Sequence, residues 1–339
     1  MTRRTKLSSL GAVISTWLAL MPSTILAALY PGLSNLNHTC ALVKPELSCS
    51  KNAVFGKTDS CCSETYGGLV LSTQFWSTYT GLEIPSTSAE PQLLPPQSWT
   101  IHGLWPDYCN GSYPEYCDLS RQYDPSPSSK GIPPYPATSP DIGTFLLPFG
   151  RLDLLQYMNT YWVSSLGQSN ADFWAHEFSK HGTCMSTFEK ECYGPLYRPH
   201  EEVVEYFEAN IKFFQQLPTY DWLAEANILP SNSTAGKKGG GYYSFSKIQR
   251  ALKKGFGATP YIGCSGEKYN ETIEGKGSKD DGRVVLSEVW YYYHVYGASQ
   301  NGKGKPVDAD AQGGRVTNCV LERGKVRYPE RTKGSERTT

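Results

Sequence analysis

Ten cysteines between positions 40 and 319 constrain the fold of this 339-residue chain more than any other feature. The number is even, so in an exported protein all ten can pair into as many as five disulfides. Because the cysteines span most of the chain, one cross-linked domain over about residues 30–330 is favoured over two separate domains. No Cys-x-x-Cys pair occurs, which makes zinc binding a weak interpretation of these cysteines.

The amino terminus has the features of a signal peptide. Basic residues at positions 3, 4 and 6 precede an apolar run from Leu10 to Leu26, and small residues follow at Ala27 and Ala28. The alternative is a membrane anchor, but serine, threonine and proline interrupt the run, so it would span a bilayer poorly. We therefore predict a signal peptide over residues 1–27, one folded domain over 28–330 and a charged, frayed tail over 331–339.

Other features agree with secretion. The chain has four Asn-x-Ser/Thr sequons, which are candidate glycosylation sites: Asn37, Asn110, Asn232 and Asn270. Without residues 1–27 the protein has 29 basic and 32 acidic residues, a net charge of −3. Proteins that coat nucleic acid nonspecifically are usually strongly basic, so nucleic-acid binding would be confined to a local site. We expect a monomer outside the cell, or in a vacuolar or lysosomal type of compartment, without stable membrane association.

The order of the predicted elements favours an α+β fold, because strands and helices do not alternate strictly. Segments rich in Val, Tyr, Trp and Thr predict strands over 69–76, 98–104, 284–296 and 315–321. Hydrophobic periodicity predicts helices over 145–161, 172–181, 201–216 and 246–254. Two glycine-rich segments, 231–241 and 302–314, are interpreted as flexible insertions without an assigned role.

Three of the six histidines lie in two dense motifs. These are Trp-Thr-Ile-His-Gly-Leu-Trp-Pro-Asp at 99–107 and Phe-Trp-Ala-His-Glu-Phe-Ser-Lys-His-Gly-Thr-Cys at 173–184. The first motif predicts a strand with His102 on one face, and Gly103 allows close approach of a backbone or ligand. A lone histidine beside tryptophan is more often a core residue, so only the combination of the two motifs favours a functional role.

The second motif combines charges that suit phosphoryl transfer. If it is helical, Glu177 and His181 share one face, and His176 and Lys180 lie on an adjacent strip. Lys180 can stabilise charge on the equatorial oxygens of a phosphorane, and His176 can hold a phosphate oxygen. His181 can accept a proton when neutral, and Glu177 can orient these neighbours.

A zinc protease motif is excluded by spacing. That motif is His-Glu-x-x-His, whereas here the histidines are five positions apart. In a helix they point about 140° apart, which is poor for sharing one metal. We predict neither a metal site nor another cofactor.

The first motif supplies the second histidine that acid–base catalysis requires. A second imidazole, His102, provides the protonated acid that complements a neutral base. Trp105 and Tyr113 can stack on a base, which is how single-stranded RNA is commonly held. His200 and His294 have no comparable neighbours in the sequence, and we interpret both as structural.

The two motifs together resemble those of the ribonuclease T2 family, and of the fungal secreted acid ribonucleases within it. The likeness covers about residues 39–329, including the adjacent cysteines 61 and 62 and the order of all ten cysteines. It implies a single disulfide-linked domain with an antiparallel sheet and packed helices. It also implies a metal-independent endoribonuclease that cleaves single-stranded RNA through a 2′,3′-cyclic phosphate to 3′-phosphate products, with low base specificity.

The resemblance also implies roles for individual residues. His181 is the general base on the ribose 2′-OH, and His102 is the acid that protonates the leaving 5′-oxygen. Glu177 and Lys180 stabilise the pentacovalent phosphorus, and His176 assists phosphate binding. The residues implied for the base 5′ to the cut are Trp105, Asp107 and Tyr113, and those for the base 3′ to it are Gln74 and Phe173. The implied disulfides are Cys40–Cys62, Cys49–Cys109, Cys61–Cys192, Cys117–Cys184 and Cys264–Cys319.

Two other functions stay open at this point. A carbohydrate-binding or wall-degrading protein would fit the high Tyr and Trp content. Glycosidases, however, use two carboxylates, whereas the motifs hold one glutamate and three histidines. The other alternative is a family member that acts as a cytotoxin or signal, with RNA cleavage secondary.

Overall fold

The computed structural model describes residues 40, 43–84, 91–165, 167–232, 240–269, 280–311 and 313–338. The predicted signal peptide, the sequons at Asn37 and Asn270 and most of segment 231–241 lie outside the described residues. The sequon residues Asn110 and Asn232 are both exposed. Within the described ranges, no helix has the length and apolar character needed to cross a membrane.

The described residues form a seven-stranded sheet with β5 at its centre. β1 pairs with one side of β5 and β2 pairs with β1, while β4 and β6 pair with β5 at opposite ends. These pairings are antiparallel, and β7 joins β5 in parallel and β3 in antiparallel orientation. The strands are β1 Leu69–Phe75, β2 Thr100–Asp107, β3 Tyr242–Tyr243, β4 Tyr261–Lys268, β5 Arg283–Val295, β6 Gly304–Val307 and β7 Val326–Arg327.

The sheet has a core face and an open face, which the burial pattern of β5 distinguishes. From residue 288 to 295 its side chains alternate between half-buried and buried. On the buried face Tyr293 packs against Phe213 and Tyr291 against Phe256, with ring centroids 5.1 and 4.9 Å apart. The helices therefore cover one face of the sheet. They are α1 Leu152–Tyr161, α2 Asn170–Lys180, α3 Glu201–Phe214, α4 Thr219–Glu225 and α5 Phe245–Phe256, with 3-10 helices at Leu119–Arg121, Ile142–Phe149, Gly182–Cys184, Ser186–Phe188, Lys190–Leu196 and Ser299–Asn301.

The α+β class is confirmed, but three predicted segments were wrong. The helix predicted over 145–161 is a 3-10 helix followed by α1, because Pro148 lies in the first and Gly150 adopts a left-handed φ of 69°. The strand predicted over 315–321 makes only isolated bridges, through Thr317 and Cys319. The insertion predicted over 302–314 contains β6, which pairs with β5. Strand β4 and helix α4 were not predicted.

The carboxy-terminal tail is packed, contrary to the prediction of fraying over 331–339. Arg331 lies over the ring of Trp76, 4.3 Å from its centroid. Its guanidinium donates hydrogen bonds to the backbone carbonyls of Ser77, Pro95 and Ser98. A charged side chain is buried here because its N–H groups find acceptors, which composition alone does not reveal.

Five disulfides cross-link the described chain, and they include all ten cysteines. The pairs are Cys40–Cys62, Cys49–Cys109, Cys61–Cys192, Cys117–Cys184 and Cys264–Cys319. This is the pairing that the family resemblance implies. The adjacent cysteines 61 and 62 have separate partners, and the Cys117–Cys184 bond anchors the chain just after α2.

A buried carboxyl group on α3 makes the fold sensitive to pH. Glu205 is 4% exposed and accepts a hydrogen bond from the Tyr193 hydroxyl, and burial raises its pKa to about 7. The folded state therefore binds this proton more tightly than the unfolded state does, so stability decreases as the pH rises from about 4.5 to about 7. We expect Glu205 to account for roughly 2 kcal/mol of this decrease.

Urea unfolding of wild type and Glu205→Gln at pH 5 and pH 7.5 measures this effect. The difference in unfolding free energy between the two pH values should be smaller in Glu205→Gln. The matched control is Glu225→Gln, an exposed position on α4. An equal pH dependence in all three proteins would contradict the assignment.

Candidate active site

A β-bulge presents His102 at one side of the sheet. In the pairing of β1 with β2, consecutive β1 residues lie opposite Gly103 and Ile101, so His102 is the extra residue of the bulge. Bulges locally re-aim side chains. The imidazole stacks on Phe75 with ring centroids 3.8 Å apart, which fixes its plane.

Two carboxylates flank the ring of His102. Its Nδ1 lies 2.6 Å from Oε1 of Glu288 on β5, and its Nε2 lies 3.4 Å from Oε1 of Glu177 on α2. Burial favours the neutral imidazole, but the two negative charges outweigh it and raise the pKa of His102 to about 9. His102 is therefore protonated over the acid and neutral range.

Helix α2 carries the second motif at its carboxy-terminal end. The helix begins after Ser169, whose hydroxyl accepts a hydrogen bond from the backbone N–H of Asp172, and His181 is its last capping residue. The prediction of a helix over 172–181 is confirmed. The side chains predicted to share neighbouring strips of one helix therefore do so.

Glu177 is the buried centre of the site. Its side chain is 1% exposed, and its Oε2 accepts a hydrogen bond of 2.7 Å from the indole N–H of Trp105. Burial alone would raise the pKa of Glu177, but the attraction of His102 outweighs it and lowers the pKa to about 2. A Cβ at position 103 would collide with this carboxylate, which gives Gly103 its structural reason.

His181 also lies beside Trp105. It is 8% exposed and stacks on the indole ring, with centroids 4.9 Å apart. The ring of His102 lies 4.6 Å from the same indole. Burial lowers the pKa of His181 to about 3, although Glu177 opposes this shift. The site therefore holds one protonated and one neutral imidazole beside a single tryptophan.

The two remaining cationic candidates are held by carboxylates that the sequence did not indicate. His176 Nδ1 lies 2.7 Å from Oδ2 of Asp124, and Lys180 Nζ lies 3.1 Å from Oε1 of Glu115. Asp124 also accepts a hydrogen bond from the Tyr116 hydroxyl. These contacts fix the two side chains on the outer strip of α2, where both are partly exposed.

The residues implied for the 5′ base lie at the end of β2 and in the loop after it. Trp105 is half-buried and is engaged by Glu177 and His181. Asp107 is the last residue of β2, and burial raises its pKa to about 7. Tyr113 is 64% exposed in the following loop.

Of the residues implied for the 3′ base, Gln74 is not in the cleft. Its side chain is fully buried and bonds to the carbonyl of Leu217 and the hydroxyl of Thr219. Successive strand residues point to opposite faces, so its neighbour Phe75 contacts His102 instead. Phe173 lies behind the imidazole, 2% exposed, with its ring centroid 5.8 Å from that of His102.

Glu288, like Asp124 and Glu115, is a residue of the site that the sequence did not indicate. Glu288 shares the half-buried face of β5 with Trp290 and Tyr292, and the pairing of β5 with β1 brings it to His102. His200 lies elsewhere, stacked on Phe145 with centroids 3.7 Å apart. Among the residues that the structure describes, no group of three or more potential ligands is arranged to hold a metal ion.

The site can be compared with known proteins. A sequence profile described as the Ribonuclease T2 family matches residues 67–300. The chain belongs to the ribonuclease T2 family. Ribonuclease Trv of Hypocrea rufa is 37% identical over 267 residues, which are 79% of this chain and 90% of the relative.

Longer relatives and a solved structure extend this ribonuclease T2 assignment. A Ribonuclease T2-like protein of Aspergillus fumigatus is 37% identical over 87% of this chain. The chain spans 58% of the length of that relative. The crystal structure of Actibind, a T2 ribonuclease, matches with a TM-score of 0.60 and 33% identity over 85% of this chain and 97% of the other.

Proposed function

We propose that this chain is a metal-independent endoribonuclease that cleaves single-stranded RNA by transphosphorylation. The observation that carries the proposal is the pair of imidazoles beside Trp105, in which the pKa of His102 is raised to about 9 and that of His181 is lowered to about 3. Acid–base catalysis needs one histidine in each state. Both states coexist from about pH 4 to about pH 8.

The first step forms a cyclic phosphate. Neutral His181 removes the proton of the ribose 2′-OH, and the oxygen attacks the adjacent phosphorus, which the ribose already holds close. His102 gives its Nε2 proton to the 5′-oxygen as the P–O bond breaks. The products are a 2′,3′-cyclic phosphate and a free 5′-hydroxyl. In a slower second step the roles reverse, and water opens the ring to a 3′-phosphate.

The other polar side chains of the site have different roles in the proposed mechanism. Lys180 and His176 lie on the outer strip of α2, where the ammonium of Lys180 and a ring N–H of His176 can stabilise the phosphorane oxygens. Glu177 has a pKa of about 2 and is ionised, so it does not stabilise a negatively charged phosphorane directly. We assign it to keeping His102 protonated and orienting Trp105, which refines the role implied by the family resemblance.

Base recognition is proposed to be loose. Trp105, Asp107 and Tyr113 hold the 5′ base, and Phe75, against which the buried ring of Phe173 packs, provides the apolar side for the 3′ base. Stacking on aromatic rings accepts every base, so low specificity is expected. We further propose that the protein is a monomer that acts outside the cell or in a vacuolar or lysosomal type of compartment, where its five disulfides persist.

Mass spectrometry of a dinucleotide digest tests the proposal. RNA dinucleotides should give the 2′,3′-cyclic phosphate first and the 3′-phosphate later, with the same rate in EDTA. Oligomers of DNA, or of RNA methylated at every 2′-oxygen, should not be cleaved because they lack the nucleophile. A 5′-phosphate product, or loss of activity in EDTA, would contradict the mechanism.

A further inference from the structure

A row of aromatic rings extends the open face of the sheet away from the catalytic histidines. Trp290 and Tyr292 occupy alternate positions on β5, and Tyr261 lies opposite Trp290 on β4. All three are half-buried, whereas Tyr291 and Tyr293 on the other face of β5 are buried. The three rings, Tyr261, Trp290 and Tyr292, are named the aromatic platform.

The aromatic platform is continuous with the catalytic cleft. Trp105 contacts Trp290 edge to face, with ring centroids 5.3 Å apart. Trp290 in turn stacks on Tyr261 with centroids 4.3 Å apart. An RNA strand that leaves Trp105 along this face therefore meets the ring of Trp290 and then that of Tyr261.

Two cations border the aromatic platform. Lys305 on β6 lies opposite His294, and Arg315 acts electrostatically on the Tyr261 hydroxyl, as does the carboxylate of Glu288, which is the partner of His102. Both side chains are exposed, and neither forms a salt bridge with any other residue that the structure describes. Rings flanked by free positive charges are the combination that binds single-stranded nucleic acid, by stacking the bases and neutralising the phosphates.

We propose that the aromatic platform binds a third nucleotide of the RNA, on the 5′ side of the nucleotide held at Trp105. This inference rests on the proposed function, because it assumes that RNA occupies the cleft. The base stacks on the outer part of the platform at Tyr261. Lys305 and Arg315 lie where they attract the phosphates of the incoming strand.

Cleavage of substrates that differ by one nucleotide tests this subsite. For the wild type, adding one nucleotide to the 5′ end of a dinucleotide should raise kcat/KM about tenfold, the effect of one stacked base. Tyr261→Ala should lose this gain and cleave the dinucleotide as the wild type does. Tyr261→Phe keeps the ring and should keep the gain. Tyr157→Ala is the matched control, since it removes a half-buried tyrosine that packs on Tyr161 in α1.

A binding experiment separates this inference from the proposed function. Titration of tryptophan fluorescence with 2′-O-methyl dinucleotides and trinucleotides gives affinities that do not depend on catalysis. The trinucleotide should bind wild type more tightly than the dinucleotide, and Tyr261→Ala should bind both equally. An unchanged gain in Tyr261→Ala, or a gain only from a 3′ nucleotide, would overturn the platform assignment. Failure of the wild type to cleave any dinucleotide would instead reject the proposed function, and the titration would still test the platform.

Discussion

Replacing His102 with alanine is expected to reduce kcat on RNA by about 10²–10⁴-fold, the usual contribution of a positioned acid or base. The loss should be nearly absent when the substrate is instead the p-nitrophenyl ester of uridine 3′-phosphate. Its leaving group departs as a stable anion and needs no proton, so an enzyme without its acid can still expel it. Initial rates on the two substrates measure the difference.

His181→Ala is the matched variant for this experiment. The nucleophile is the 2′-OH in both substrates, so loss of the base should slow both by similar factors. The activated ester also shows whether the site stays folded when His102 no longer separates the carboxylates of Glu177 and Glu288. If His102→Ala lost the same factor on both substrates, His102 would not be the acid.

The sequence could predict the parts of the site that one local segment determines. His176, Glu177, Lys180 and His181 are neighbours in the chain, and helical spacing alone places them on adjacent strips of α2. His102 was found because its motif is short and dense. The two motifs meet where the Glu177 side chain of α2 contacts His102 and Trp105 of β2, and for that the family resemblance was needed.

The partners of these residues come from distant strands and loops, and no local pattern indicates them. Asp124 and Glu115 lie about 50 to 65 positions before the side chains that they hold. The assignment of Gln74 to the 3′ base fails for a related reason, because its side chain lies outside the cleft. The alternation of side chains along a strand predicts that adjacent residues face opposite sides of the sheet, but it does not predict which side forms the cleft. Only the pairing of β1 with β2 and β5 decides that Phe75 faces His102.

Replacing Glu288 with glutamine is expected to move the basic limb of the pH profile by about one to two units toward lower pH. His102 acts only while protonated, and Glu288 is one of two carboxylates that keep its pKa at about 9. An opposite charge in contact shifts a pKa by roughly 1–3 units. At pH 8 kcat/KM should therefore fall about two- to tenfold, whereas at pH 5 the protonated form still dominates and little should change.

The dependence of this loss of kcat/KM on pH distinguishes a positioning role of Glu288 from a structural one. Glutamine can still accept the hydrogen bond from Nδ1, and Phe75 still stacks on the ring, so the geometry of His102 is retained. A defect in folding would lower kcat/KM by the same factor at every pH, as would a change in substrate affinity alone. Glu267→Gln, an exposed position on β4, is the control and should leave both limbs unchanged. The acid limb reports the low pKa of His181 and should stay near pH 3 in all three proteins. A basic limb that does not move would show that Glu177 alone keeps His102 protonated.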